Sequence, residues 1–311
     1  MRVVFLGTPS FAVPTLRALL HSPYDVCAVF TQPDRPSGRG QRLHPPPVKV
    51  LANQYSIPVF QPPKIRTEDN RPVLKGMKPE FIVVAAFGQI LPRWLLDTAG
   101  VAPVNVHPSL LPKYRGAAPV VWPILNGDEV SGVTTMLMDE RLDTGPILLR
   151  EEMPISDAAT AGELEAALAE AGAGLLLRTL DGLLSGSVQP VPQEDSQASL
   201  APRINKEMAR VDWRRSAREI HNMVRAFNPW PLAFSEFRNE RVQILRSAAA
   251  GGMGNADPGV FLGFTRDGMM IQCGSATVLE VLQVKPASRQ AVSGREFGVG
   301  ARLKPNEPVF R

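Results

Sequence analysis

The 311-residue chain is 44% hydrophobic, enough to bury a sizeable core; its length argues for about two domains, and no run of 18 apolar residues is present to span a membrane. Its two cysteines, Cys27 and Cys273, exclude a disulfide framework and fit a reducing cytoplasm, and without a CxxC pair or Cys/His cluster no metal site is expected. The charge is uneven: residues 1–202 hold 17 Lys+Arg against 20 Asp+Glu, net −3, whereas residues 203–311 hold 17 against 10, net +7, a surface for a phosphate backbone or a solvated basic face.

The first half alternates in the manner of an α/β fold. The opening run Met1–Gly7 is too short for a signal peptide and leads into a strand over 2–6, then a helix over 12–20 and a strand over 26–31. Gly7-Thr8-Pro9 lacks the spacing of a dinucleotide or P-loop motif and reads as a tight turn. Residues 33–49, punctuated by proline and glycine and carrying Arg35, Arg39, Arg42 and Lys49, predict a long mobile loop able to grip phosphates or stay a bare cationic surface. The apolar run 81–86, ended by Gly88, predicts a strand buried on both faces, and 101–106 the next one. An apolar stripe rich in Ala, Leu and Glu predicts a core helix over 160–184. The polar stretch 189–202, with Pro190 and Pro192, predicts a linker between a domain at 1–188 and one at 203–311. Beyond it, a helix over 217–226 and short alternating segments at 241–245, 259–264, 269–273 and 276–284 predict a small antiparallel barrel. Trp213 and Trp230 sit in apolar or proline-rich stretches and are expected in the core rather than stacked on bases.

One constellation carries chemistry. In an extended chain Asn105 and His107, two apart, present their polar heads to one side, so both can reach a single carbonyl oxygen. Asp143, in Leu142-Asp143-Thr144-Gly145, can come in from a separate loop to orient the imidazole and accept a proton directly or through water. These are the parts of an acyl-transfer site without a protein nucleophile, where one donor on the developing oxyanion contributes about 3 kcal/mol. The plainer alternative is an Asn and a His capping a turn at a strand end.

Asn-x-His-x-Ser-Leu-Leu-Pro at 105–112, followed by Lys113-Tyr114-Arg115-Gly116-Ala117-Ala118-Pro119 and by Met138-Asp139-Glu140-Arg141-Leu142-Asp143-Thr144-Gly145, resembles the folate-dependent formyltransferases. The resemblance runs from Phe5-Leu6-Gly7-Thr8-Pro9 to Phe227-Asn228-Pro229-Trp230-Pro231 and is strongest toward the branch whose acceptor is methionyl initiator tRNA. It implies a Rossmann-like domain with a mostly parallel sheet, followed by an OB-like β-barrel that contacts tRNA. It also implies transfer of formyl from 10-formyltetrahydrofolate to the methionyl α-amine. Asn105, His107 and Asp143 match the catalytic trio: the Asn105 amide and His107 imidazolium hold the oxyanion, and Asp143 holds His107 and helps deprotonate the attacking ammonium. Ser109, Leu110, Leu111 and Pro112 match the stretch that meets the folate, while Phe87, Gly88, Ile90 and Leu91 are expected to wall the pterin slot. Arg35, Arg39 and Arg42 match an inserted loop that orders on tRNA, Arg39 foremost. A cytoplasmic monomer without membrane association is expected.

Two positions depart from the family pattern. Arg141 stands where glycine is usual, and a non-glycine residue disfavours positive φ, so the backbone around Asp143 is open to differ. Pro108 stands where a small residue is common; lacking an N–H, it suits the end of a strand better than its middle. The same trio serves formyltransferases acting on a sugar-nucleotide amine or a purine precursor, and a hydrolase releasing formate from the folate uses similar residues. A non-catalytic RNA-binding module would leave the trio without purpose. The basic C-terminal part, Asp212-Trp213, residues 227–231 and the arginine loop favour a tRNA acceptor. On that basis Arg39→Ala raises the KM for tRNA far more than it changes folate binding, as checked by steady-state kinetics with each substrate varied in turn.

Overall fold

The computed structural model describes residues 1–37, 42–252 and 254–310, and divides into two units. The first comprises residues 1–119, 130–154 and 165–201, the second residues 120–129, 155–164 and 202–311. The strands of the first unit are β1 (Arg2–Gly7), β2 (Asp25–Phe30), β3 (Arg35–Ser37), β4 (Arg42–His44), β5 (Val59–Phe60) and β6 (Phe81–Ala85). They continue with β7 (Ala102–His107), β8 (Arg115–Gly116), β9 (Val130–Leu137), β10 (Ile147–Pro154) and β11 (Leu200–Ala201).

Seven of these form one sheet in the order β10-β9-β7-β6-β1-β2-β5. Neighbours from β7 through β5 are parallel, and β9 runs antiparallel to both β7 and β10. Strand β6, and β1 after its exposed first residue Arg2, are apolar without interruption because both of their faces are covered. On one face Leu6, Phe30, Ile82 and Leu95 share a fully buried cluster. The helix Ala161–Ser185 approaches so closely that a Cβ at Gly172 would lie 2.8 Å from Val106 Cγ1. Alternation along β7 then sends Asn105 and His107 to the side away from Val106.

Several expectations are refined. The strand expected at 101–106 begins at Ala102 and ends at His107, so Pro108 falls just past the ladder, where its missing N–H costs nothing. Of the loop expected over 33–49, residues 38–41 lie outside the described residues; in the rest β3 and β4 pair antiparallel, and a helix spans Pro47–Gln54. Lys49 Nζ donates to both carboxylate oxygens of Asp34, at 2.9 and 2.8 Å, and to Gln61 Oε1 at 2.7 Å, so its charge is matched inside the protein. The hydrogen bond from Lys49, joined by one from Gln61, holds the Asp34 carboxyl below its usual range. The 189–202 stretch is bonded into the first unit as far as residue 201. Val191 exchanges two 2.8 Å backbone bonds with Ile147, and β11 pairs in parallel with β8. The hairpin β9–β10 had no sequence expectation, since the buried Thr134 and Thr135 interrupt its apolar run.

The second unit holds β12 (Phe234–Phe237), β13 (Glu240–Ala250), β14 (Val260–Phe264), β15 (Met269–Gln272), β16 (Val278–Pro286), β17 (Val292–Ser293) and β18 (Glu307–Pro308). They make an antiparallel sheet in the order β12-β13-β16-β15-β14-β18, with β17 also on β16. Among the described residues no pairing joins β12 to β18, so the OB-like element is a curled half-barrel. The helix Ala217–Ala226 is started by a capping box in which Ser216 and Glu219 satisfy each other's backbone amides. The helix Val121–Asn126 packs against it, which draws residues 120–129 into this unit.

The two tryptophans separate. Trp213 is 4% exposed, stacks on Phe310 with ring centroids 5.1 Å apart, and donates from Nε1 to Ser235 Oγ at 2.9 Å. Trp230 corrects the core expectation: it is 53% exposed, since the turn around it is anchored by its neighbours, Asn228 through Nδ2 to Leu245 O and Leu232 through its amide to Phe227 O. Trp213→Ala is expected to cost about 3–5 kcal/mol, and Trp230→Ala no more than about 0.5 kcal/mol, in denaturant unfolding of the two variants followed by circular dichroism.

Candidate active site

The carboxyl ends of β1, β6 and β7 lie together, the place where open α/β sheets receive ligands. Past β6 the chain turns through Ala86 (φ 47°) and Gly88 (φ 82°). Thr8 Oγ1 and Gln32 Nε2 both donate to the Phe87 carbonyl, at 3.2 Å each, and so fasten this turn to the ends of β1 and β2. Of the residues expected to wall a pterin slot, Phe87 and Leu91 direct their side chains into the core cluster, whereas Gly88 and Ile90 are open to solvent.

Asn105 and His107, 8% and 5% exposed, occupy the last turn of the β7 ladder. Among the described residues the Asn105 side-chain amide has no hydrogen-bond partner, and neither of its polar atoms is sealed from solvent. His107 Nε2 lies 3.1 Å from the Tyr114 carbonyl; a carbonyl only accepts, so Nε2 carries a proton. The other ring nitrogen, Nδ1, faces Asp143 Oδ1 at 3.8 Å, within ion-pair range yet longer than a hydrogen bond. Both atoms therefore keep capacity for a third partner. Asp143 Oδ2 is already used, accepting from the Gly116 amide at 2.9 Å.

The loop carrying Asp143 leaves β9 and returns at β10. Its positive φ falls at Asp143 (54°) and not at Arg141, so the absence of glycine at 141 brings no left-handed strain. Arg141 instead donates its amide to Asp139 Oδ1 at 3.0 Å, and Thr144 Oγ1 donates to Asp139 Oδ2 at 2.7 Å. Gly145 is required by close approach: a Cβ there would sit 1.8 Å from the Leu137 carbonyl oxygen. Gly116 is required twice over, by φ of 128° and by a Cβ position 2.8 Å from Ala201 O.

Sequence reasoning missed Gln193. Its Nε2 donates to the carbonyls of Asp143 and Gly145, at 2.9 and 2.7 Å, while its Oε1 accepts from Arg115 Nε and Nη2. Arg115 was visible in the 113–119 motif, but nothing in a proline-bearing polar stretch marks Gln193 as its partner.

Ser109 is fully buried, and its hydroxyl donates to Lys113 O at 2.7 Å. Thr134 Oγ1 donates to Ser109 O at 2.6 Å and accepts from the Leu111 amide at 3.1 Å, shaping residues 109–112 as they leave β7. Leu111 packs with Met136 and Ile147, Pro112 is buried, and Leu110 is half-buried. Arg35 is exposed and reaches Gln32 Oε1 at 3.5 Å; Arg42 opens β4; Arg39 lies outside the described residues. Among the described residues no group of three or more His, Cys, Asp or Glu side chains is arranged to hold a metal ion, and no helix is long and apolar enough to cross a membrane.

An amide and an imidazole at the end of β7, with a carboxylate brought in by the β9–β10 loop, are the parts that acyl- or formyl-transfer chemistry uses, and comparison with known proteins shows the family. Residues 1–180 match the formyl transferase family and residues 203–302 its C-terminal domain, and the chain belongs to that family. It is 44% identical to the methionyl-tRNA formyltransferase of Clostridium perfringens strain SM101, over 98% of this chain and all of that one. With the enzyme of the same name from Pseudomonas fluorescens it shares 47% identity, over 88% of this chain and 85% of the relative. Among solved structures, the sugar 3N-formyl transferase WlaRD, studied with dTDP and 5-N-formyl-THF, shares the fold at TM-score 0.69 and 21% identity, over 93% of this chain and 99% of that one. HypX from Aquifex aeolicus, in complex with tetrahydrofolic acid, does so at TM-score 0.62 and 17% identity, over 99% of this chain and 49% of its own.

Thr134→Val keeps the shape but leaves Ser109 O and the Leu111 amide unpaired in a buried setting. It is expected to destabilise by about 1–3 kcal/mol for each group stranded and to lower folate affinity, as read from chemical unfolding and from titration with a folate analogue.

Proposed function

We propose that this chain transfers the formyl group of 10-formyltetrahydrofolate to the α-amine of methionine esterified to initiator tRNA, through Asn105, His107 and Asp143. The observation that carries the mechanism is the convergence of His107 Nδ1 and Asp143 Oδ1, 3.8 Å apart, at the end of the strand that also presents the Asn105 amide, which has no partner among the described residues. Near-full-length identity with methionyl-tRNA formyltransferases supports the acceptor, and folate-bound neighbours of the same fold support the donor class.

Asp143 first takes a proton from the methionyl ammonium, directly or through water. The freed amine nitrogen attacks the formyl carbon, whose oxygen becomes an oxyanion that accepts from the Asn105 amide and from a protonated His107. The attacking nitrogen then gives up its second proton to the folate nitrogen, and the bond from the formyl carbon to that nitrogen breaks as the carbonyl reforms. No step needs a covalent protein intermediate. With Nε2 tied to Tyr114 O, Nδ1 is the ring nitrogen left to face substrate and carboxylate together.

The formyltransferase part is assigned to residues 1–188, and the tRNA-contacting part to residues 203–311, whose net charge of +7 suits a phosphate backbone. Ser109 to Pro112, with Gly88 and Ile90, are assigned to the folate, and Arg35, Arg39 and Arg42 to the acceptor stem. The protein acts in the cytoplasm as a monomer.

Incubation of the purified protein with 10-formyltetrahydrofolate and methionyl initiator tRNA should yield formylmethionyl-tRNA. A sugar-nucleotide amine in place of the tRNA should yield nothing, and formate release without tRNA should be negligible. His107→Ala and Asp143→Ala each lower kcat by on the order of a hundredfold or more, and Asn105→Ala by on the order of 10²–10³. Near-normal turnover in any of the three removes that residue from the scheme.

A further inference from the structure

We propose that Gln193 is a positioning residue for this reaction, holding Asp143 in its working conformation through the backbone; this rests on the assignment of Asp143 to the transfer step. Asp143 is in the left-handed region, which disfavours a residue bearing a Cβ though less so aspartate, so bonds from outside the loop help to keep it there. Gln193 supplies the hold. Both N–H groups of its amide are spent on the loop, one on the Asp143 carbonyl at 2.9 Å and one on the Gly145 carbonyl at 2.7 Å.

The way the amide faces is set by charge. Its oxygen takes two donors from Arg115, at 3.1 Å from Nε and 2.9 Å from Nη2, and a guanidinium has no acceptor to offer the nitrogen. Arg115 is 7% exposed, and its remaining terminal nitrogen meets Asp195 Oδ1 at 2.9 Å. Arg115 also precedes Gly116, whose amide binds the Asp143 carboxylate. The two-residue strand β8 thus fixes Asp143 at both ends, directly through Gly116 at the side chain and through Gln193 at the backbone. No other hydrogen bond reaches the Asp143 carbonyl among the described residues.

Gln193→Glu is the discriminating variant, because it keeps size and the acceptors for Arg115 while removing both donors and setting a carboxylate against two carbonyl oxygens. The expected result for it and for Gln193→Ala is a fall in kcat of tenfold or more, with KM for folate and for tRNA changed less than twofold. Amide exchange at Gly116 should accelerate while the melting temperature is kept. In an Asp143→Ala background the Gln193→Glu change should lower kcat no further. A kcat within twofold of the parent for both Gln193 variants, while Asp143→Ala shows its roughly hundredfold loss, overturns the proposal and leaves the assigned function standing. So does a loss that persists in full on the Asp143→Ala background, which would make Gln193 a general structural support. Near-normal turnover by Asp143→Ala alone instead removes the assignment on which the proposal stands.

Discussion

The hydrogen bond between the Gly116 amide and Asp143 Oδ2 ties together two segments that leave the main sheet at different strands, and the chemistry proposed for the site depends on that tie. Asn105 and His107 owe their placement to β7, whose ladder with β6 and β9 leaves them little freedom. A loop residue has no such ladder. Asp143 is placed by an adverse backbone angle held against a network of side-chain and backbone bonds, and its carboxylate reaches His107 only while that network persists.

The contrast also explains where buried polar groups are tolerated. Two neighbouring hydroxyls of β9 are each bonded to chain that the sheet must hold. Thr134 bonds the departing segment at Ser109 and Leu111, and Thr135 meets Thr179 Oγ1 at 2.7 Å while accepting from the Leu149 amide. A satisfied hydroxyl in a core costs little and restricts the chain to one arrangement, whereas an apolar residue of equal size would leave backbone groups stranded. Thr134 therefore holds the segment leaving β7, and Thr135 ties β9 to β10 and to the helix packed on the sheet.

Much of this was legible in residue order, and the failures share a cause. The parallel strands showed as apolar runs, and the two-residue spacing of Asn105 and His107 on an extended segment placed both on one side of a strand, as β7 has them. The strand Val130–Leu137 was hidden because two buried threonines break its hydrophobic signal. Gln193 was hidden because a side-chain amide bonding carbonyls about 50 residues away leaves no periodic trace. Trp230 was misjudged because proline-flanked apolar segments resemble core, while the actual turn is anchored by its neighbours and carries the indole outward. Side-chain burial at Phe87 and Leu91 was equally invisible: the chain turns through positive φ at Ala86 and Gly88, and the alternation of the preceding strand does not carry past it.

The two margins of the seven-stranded sheet have a further consequence. At one margin β5 is only two residues long; at the other, β10 places Arg150, Glu151 and Glu152 along its length and ends in Pro154, with Val191 bridged to its start. A stray extended segment meeting either margin finds too little ladder to grip, or mixed charge followed by a residue that cannot donate. The enzyme is in this way guarded against self-templated fibril growth at the very sheet whose other boundary, the strand ends, it must leave open for its substrates.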